Sequence, residues 1–145
     1  MKPSTVPATL DSLGTIADYV MAAAASAGLD RRASYRLRLA VDEIATNIIV
    51  HGYANAGHQG VLELRADIDD RTLTIAIDDT GVTCDPRQAP IPDINLPLDQ
   101  RPIGGLGMYL AMCNVDEFVY EHVGDRNRTI FKMYLPPTAL EEEKT

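Results

Sequence analysis

Cysteine is scarce in this chain. Its two cysteines in 145 residues, Cys84 and Cys113, form no CxxC pair and no metal-type spacing. That excludes a disulfide framework and a zinc cluster, and it fits the reduced thiols of an intracellular protein. Basic residues are also in deficit: 13 Lys and Arg against 21 Asp and Glu leave a formal net charge of −8. Nucleic acid and anionic membranes are bound by basic surfaces, so neither is an expected partner. No apolar run approaches the length that spans a bilayer. The stretch YVMAAAASAGL (19–29) has the look of a signal-peptide core, but Asp11 and Asp18 interrupt its approach and only Lys2 supplies a basic flank. A helix of small residues is the better reading. Internal repeats and interdomain linkers are absent too. What remains is one cytoplasmic domain over residues 1–138, large enough for a core without staples, and an acidic tail at 139–145.

The coarse pattern alternates helices and hairpins. Leu13, Ala17, Val20, Met21 and Ala24 recur at helical spacing from Asp11 to about Ala27, and Gly28 is a plausible stop. Leu37, Val41, Ile44 and Ile48 predict a second amphipathic helix from Arg31 to about Val50, closed near Gly52. Leu62, Leu64, Ala66 and Ile68 alternate as in a strand, Asp69-Asp70 turns, and Leu73, Ile75 and Ile77 continue the same period. Residues 115–123 and 128–135 repeat the hairpin around Gly124-Asp125.

Between Val82 and Ile103 fall five of the nine prolines. Such density excludes helix interior and central strand, and a loop of this length in a compact domain commonly serves as a lid. It runs into IGGLGMYL (103–110), with three glycines in four positions directly before an apolar run. Two readings stay open on these residues alone: a flexible turn, or a phosphate cradle at a helix N-terminus.

Two other stretches carry chemistry. In VDEIATNIIVHGY (41–53), Glu43, Asn47 and His51 lie one turn apart on one helix face, offset from the apolar stripe. Asn is a poor helix-interior residue, and one placed beside a carboxylate suggests a task for both. Oxygen ligands suit Mg²⁺, and a carboxylate one turn away could take a proton from an attacking hydroxyl. A solvated helix face is the plainer alternative. In TIAIDDTG (74–81), a strand runs into two aspartates and a glycine. That carboxylate could accept from an exocyclic amine such as adenine's, or the segment could be an ordinary Asp-rich turn.

Together, EIATN (43–47), DTG (79–81) and GGLG (104–107), in this order and in helix, strand and loop contexts, resemble the ATP-binding domain of the gyrase, heat-shock chaperone, histidine kinase and MutL superfamily. The helix stretch and the short glycine box look most like bacterial anti-sigma-factor serine/threonine kinases. The resemblance covers roughly residues 10–136. It implies an α/β two-layer sandwich, mainly antiparallel, with helices on one face and MgATP under the lid. It makes Asn47 the Mg²⁺ ligand and Glu43 the general base. Asp79 would read the adenine amine, with Gly81 beneath the base and Thr129 nearby. Gly104, Gly105, Leu106 and Gly107 would hold the phosphates. Thr83 stands where the superfamily's adenine box has its second glycine, and Arg101 is a candidate phosphate contact from the lid. No P-loop and no completed Rossmann fingerprint compete. The implied function is phosphorylation of an antagonist protein and sequestration of a sigma factor by a homodimer. The alternative is a nucleotide-gated binding module that transfers nothing. A histidine-kinase catalytic domain fits less well, because 42 residues before Glu43 are too few for a phosphoacceptor hairpin.

Overall fold

The computed structural model describes residues 1–82, 109 and 111–136. The bulk of the proposed lid, with Thr83 and Arg101, lies outside the described residues, as do Gly104, Gly105, Leu106 and Gly107 and the acidic tail. A short strand β1 (Ser4–Pro7) and a 3-10 turn (Leu10–Ser12) precede two helices, α1 (Leu13–Ala27) and α2 (Arg31–Asn47). The chain then continues as a π-helix (Ile48–Ala54), and the strands β2 (Val61–Ile68), β3 (Thr72–Asp79), β4 (Glu117–Val123) and β5 (Arg126–Tyr134) follow.

Local chemistry sets the helix ends. Gly28 takes φ 75°, the left-handed conformation that stops α1 and lets its N–H reach the carbonyls of Ala24 and Ala25. Asp30 starts α2 by accepting from the Ala33 N–H at 2.8 Å. Two expectations shift. Of the expected stripe, Val20 and Ala24 are buried and Leu13 packs against the core, but Ala17 and Met21 are only half-buried, and Ile16 and Ala23 complete the buried face of α1. A run of alanines has too little contrast to fix the phase of a helix. The second helix does not simply close near Gly52. It widens into π geometry after Asn47 and runs to Ala54.

The sheet order is β1-β2-β3-β5-β4, and every pairing is antiparallel. Leu62, Leu64, Leu73, Ile75, Ile77, Phe131 and Met133 face α1 and α2, where Val20, Leu37, Val41 and Ile44 meet them at 0–2% exposure. Burying a side chain of this size contributes about 1.5–3 kcal/mol, so this layer supplies the bulk of the stabilisation. The result is the two-layer α/β sandwich. Strand β1 went unread because only Val6 of its four residues is buried and Pro7 ends it, as suits an edge. Among the described residues no helix is long and apolar enough to cross a membrane.

On the opposite face, which no described helix covers, register places Glu63, Asp78, Arg128 and Glu121 in one row across β2, β3, β5 and β4. Asp78 is 3% exposed and is gripped from several sides. Arg128 donates to its two oxygens at 2.9 and 3.0 Å, Arg126 donates at 3.3 Å, and Arg65 stands 3.6 Å away. Burial pushes this carboxyl up, but Arg128, with Arg65 and Arg126, more than reverses the push and holds it below its ordinary 3.8. A folded value below the ordinary one gives stability that is complete above 3.8 and is lost as pH falls through the folded value. Asp78→Asn would leave three guanidinium groups converging on an amide. It should cost on the order of 1–3 kcal/mol at neutral pH. Urea unfolding checks this, with the gap between the two proteins narrowing as pH drops below 3.8. A gap independent of pH would mean the charge on Asp78 does not stabilise the fold.

Candidate functional site

The helix face read from the sequence meets the end of β3. Asn47 and His51 line an open cleft together with Ile44, Ile48 and Gly52 from α2 and the π-helix. Asp79 and Val82 line it from the β3 end, and Tyr120, Asn127 and Thr129 from the second hairpin. Asn47, Asp79 and Thr129, far apart in sequence, are thus brought together. Glu43 is half-buried one turn before Asn47 and is not among the residues lining the cleft. Gly81 is not among them either.

The π-helix explains how its two ends join. Seven residues in this wider geometry, common beside functional sites, bring Gly52 and Tyr53 against the chain leaving β3. The Gly52 carbonyl accepts from the Val82 N–H at 3.0 Å. The buried Tyr53 hydroxyl accepts from the Thr80 N–H at 2.8 Å and faces the Val61 carbonyl at 3.4 Å. A Cβ on Gly81 would stand 2.7 Å from the Gly52 oxygen and 3.0 Å from the Tyr53 ring. Glycine is required there by this close approach, since Gly81 has no positive φ.

Asp79 is 4% exposed, and burial pushes its carboxyl up against the opposing pull of its donors. Both of its hydrogen bonds among the described residues go to Oδ1. The Gly81 N–H donates at 2.9 Å and Asn127 Nδ2 at 3.0 Å. Oδ2 accepts no hydrogen bond among the described residues, and Asp79 lines the cleft. Asn127 is itself fully engaged. Its Nδ2 also donates to the Gly81 carbonyl at 3.1 Å, and its Oδ1 takes the Tyr120 hydroxyl at 2.8 Å and His122 Nδ1 at 3.0 Å. Because that oxygen can only accept, His122 carries its proton on Nδ1 in this arrangement.

Asn127, Tyr120 and His122 escaped the sequence reading. Asn127 stands in Arg-Asn-Arg just after Gly124-Asp125 and so reads as turn. Extending the alternation of Phe131 and Thr129 back by two residues would have found it, opposite Asp79 in the ladder.

Comparison with known proteins shows which family the chain belongs to. A family profile described as histidine kinase-like ATPase domain matches residues 6–133. The chain belongs to the histidine kinase-like ATPase domain family. An anti-sigma F factor of Clostridium acetobutylicum is 48% identical over 46 residues, 32% of this chain and 31% of that protein. The serine-protein kinase RsbW of Bacillus cereus is 30% identical over 90 residues, 59% of this chain and 55% of that one. The serine/threonine-protein kinase BtrW of Bordetella bronchiseptica is 33% identical over 79 residues, 54% of this chain and 55% of that one. The matched segments thus span about half or less of these curated relatives. In fold, the chain resembles the RsbU and RsbW domains of a Mycobacterium tuberculosis protein, with TM-score 0.59 at 18% identity over 94% of this chain and 34% of that one. The histidine kinase domain of an Erythrobacter litoralis blue-light activated histidine kinase gives TM-score 0.50 at 17% identity, over 85% and 59% of the two chains.

The cleft suits the ligand of a histidine kinase-like ATPase domain. Apolar walls at Ile44, Ile48 and Val82 can flank a purine, and Asp79 Oδ2, which accepts no hydrogen bond among the described residues, can accept from an exocyclic amine. Among the described residues no cluster of three acidic, His or Cys side chains could hold a metal by itself. One amide oxygen from Asn47 fits a Mg²⁺ ion whose other ligands are waters and phosphates.

Two variants test this geometry. In Asp79→Asn the amide oxygen can take the place of Oδ1 and keep both donors, which puts an NH₂ where Oδ2 was. Thermal stability should be kept, while ATP affinity falls by the 1–3 kcal/mol of a lost buried bond, about five- to over a hundred-fold. Calorimetric titration with ATP and GTP decides, and equal weakening of both would indicate a collapsed site. Gly81→Ala should lose on the order of 1–3 kcal/mol of stability, since the Gly52 backbone must move. An unchanged melting curve for Gly81→Ala would show that this contact is slack.

Proposed function

We propose that the protein is a MgATP-dependent serine/threonine kinase that phosphorylates an antagonist protein and, as a cytoplasmic homodimer, sequesters a sigma factor. The observation that carries this reading is a buried carboxylate, Asp79, which lines an apolar-walled cleft together with Asn47 and whose hydrogen bonds among the described residues all go to one oxygen. Relatives named anti-sigma F factor, serine-protein kinase and serine/threonine-protein kinase support it.

On this reading Asp79 Oδ2 accepts from the adenine amine, and Thr129 borders the base. Gly81 lies beneath the base, and Gly104, Gly105, Leu106 and Gly107 hold the phosphates through their backbone amides. Asn47 supplies an oxygen to Mg²⁺, which when bound offsets charge on the phosphates. Glu43, one turn along the helix, takes the proton of the acceptor hydroxyl as that oxygen bonds to the γ-phosphorus and the bond to ADP breaks. Position and charge do most of such a reaction's work, with the base adding about 10²–10⁴-fold.

One observation favours a second reading, a nucleotide-gated binding module without transfer: Glu43 is not among the residues lining the cleft. Glu43→Gln separates the two readings. Gln keeps the helix propensity and nearly the shape. Binding of MgATP and of the partner should persist, while transfer of labelled γ-phosphate to the partner falls by about 10²–10⁴-fold. An Asn47→Ala variant should instead lose metal-dependent nucleotide binding. Transfer at the parent rate by Glu43→Gln rules out Glu43 as the base. No transfer by the parent to a partner that it binds makes the gated module the better account.

A further inference from the structure

The composition averages conceal a local reversal of charge. Arg31, Arg32, Arg36 and Arg38 fall within eight residues at the start of α2, four of the 13 Lys and Arg in a chain of net charge −8. Arg31, Arg32 and Arg38 are exposed and Arg36 is half-buried. Tyr35 and Leu39 stand among them at 46% and 47% exposure, large apolar groups left open on the same face. The inward side of the helix, Ser34, Leu37, Ala40 and Val41, is the part that packs.

Stability does not account for this placement. A helix N-terminus carries positive partial charge and disfavours cations, and the first turn of α2 contains no acidic residue. The arginines of the sheet face opposite the helices are paired with Asp78 or Glu63, but among the described residues these four enter no ion pair. Arg31 is held otherwise, with its guanidinium 5.7 Å from the centre of the Tyr35 ring. Arg31 is therefore preset, and among the described residues no carboxylate pairs with the four guanidinium groups.

We infer that the N-terminal half of α2 is a docking surface for an acidic, amphipathic segment of a partner protein. Carboxylates of such a segment pair with the guanidinium forks, and its apolar side chains cover Tyr35 and Leu39. A long nucleic acid fits less well, because the net charge of −8 repels a polyanion that extends past the patch. Arg32, Arg36, Glu43 and Asn47 follow at spacings of four, seven and four, so they share one helical stripe. From Arg36 to Glu43 is about 10 Å along the axis. A segment docked on the arginines would therefore lead along the helix to the reacting end of the cleft. This last step rests on the kinase reading, whereas the docking itself does not.

The probe is a fluorescein-labelled peptide of Glu-Glu-Leu repeats, titrated with the full chain at low salt and followed by anisotropy. Replacing Arg31, Arg32, Arg36 and Arg38 with Gln keeps helix propensity. Exposed ion pairs are each worth roughly 1.5- to 5-fold, so affinity should fall about tenfold or more while MgATP binding is unchanged. Tyr35→Ala with Leu39→Ala should weaken the peptide about several-fold without altering its salt dependence. Arg71→Gln, exposed but remote in the β2–β3 turn, should stay within about twofold. Absence of peptide binding, or an equal loss in Arg71→Gln, overturns the proposal. So does poly(U) binding more tightly than the peptide through the same arginines, which would assign the surface to nucleic acid. Phosphotransfer is scored separately. Arginine-dependent docking with no transfer to a bound partner leaves the surface standing and removes the kinase.

Discussion

Asp79 keeps a carboxylate at 4% exposure, and an unpartnered ion at that depth would cost more than a marginally stable domain can lose. The neighbourhood is arranged around meeting that demand. The Gly81 N–H and the Asn127 amide take one oxygen. Asn127 in turn is held by Tyr120 and His122 from β4, so the second hairpin must lie beside β3 for the carboxylate to be tolerated. Gly81, whose N–H reaches Asp79, lies against Gly52 with no side chain between them. Gly52 stands there because α2 opens into a π-helix. One buried charge thus ties together the sheet order, the second hairpin and the irregular end of the helix.

The parts of this arrangement that follow a simple period were legible in the sequence. Alternation in β2, β3 and β5 and the phase of Leu37, Val41 and Ile44 gave the two layers. The i, i+4 spacing put Asn47 and His51 on one face, and both do line the cleft. What breaks period was not legible. The π-helix changes the angular step after Asn47, so a reading at 3.6 residues per turn cannot aim Gly52 and Tyr53. Strand β1 offers one buried side chain, too few to show an alternation. Asn127 is polar at a core-facing position, where patterning expects an apolar residue, and it follows turn residues. Its role appears only when pairing with β3 puts it opposite Asp79.

Composition misled in a similar way. A net charge of −8 describes the chain as a whole, yet α2 carries cations over its first two turns and carboxylates at Asp42 and Glu43. The solvent side of a single helix therefore changes sign along its length, with the proposed reacting groups at the acidic end.

Asp78 and Asp79 are neighbours in sequence, but the pleat sends one into a nest of arginines and the other toward the helices. Their acidities are displaced in opposite directions, one stabilised as an anion and the other penalised for being one. This pair makes the alignment of β3 self-checking. Sliding the strand by one residue turns every side chain to the opposite face. Leu73, Ile75 and Ile77 would then meet water, and the guanidinium groups would surround Ile77 or the wrong aspartate. An apolar strand can drift between registers of similar energy, whereas this one is keyed by charge as well as by its core. The two aspartates discriminate among misfolded pairings before any ligand arrives.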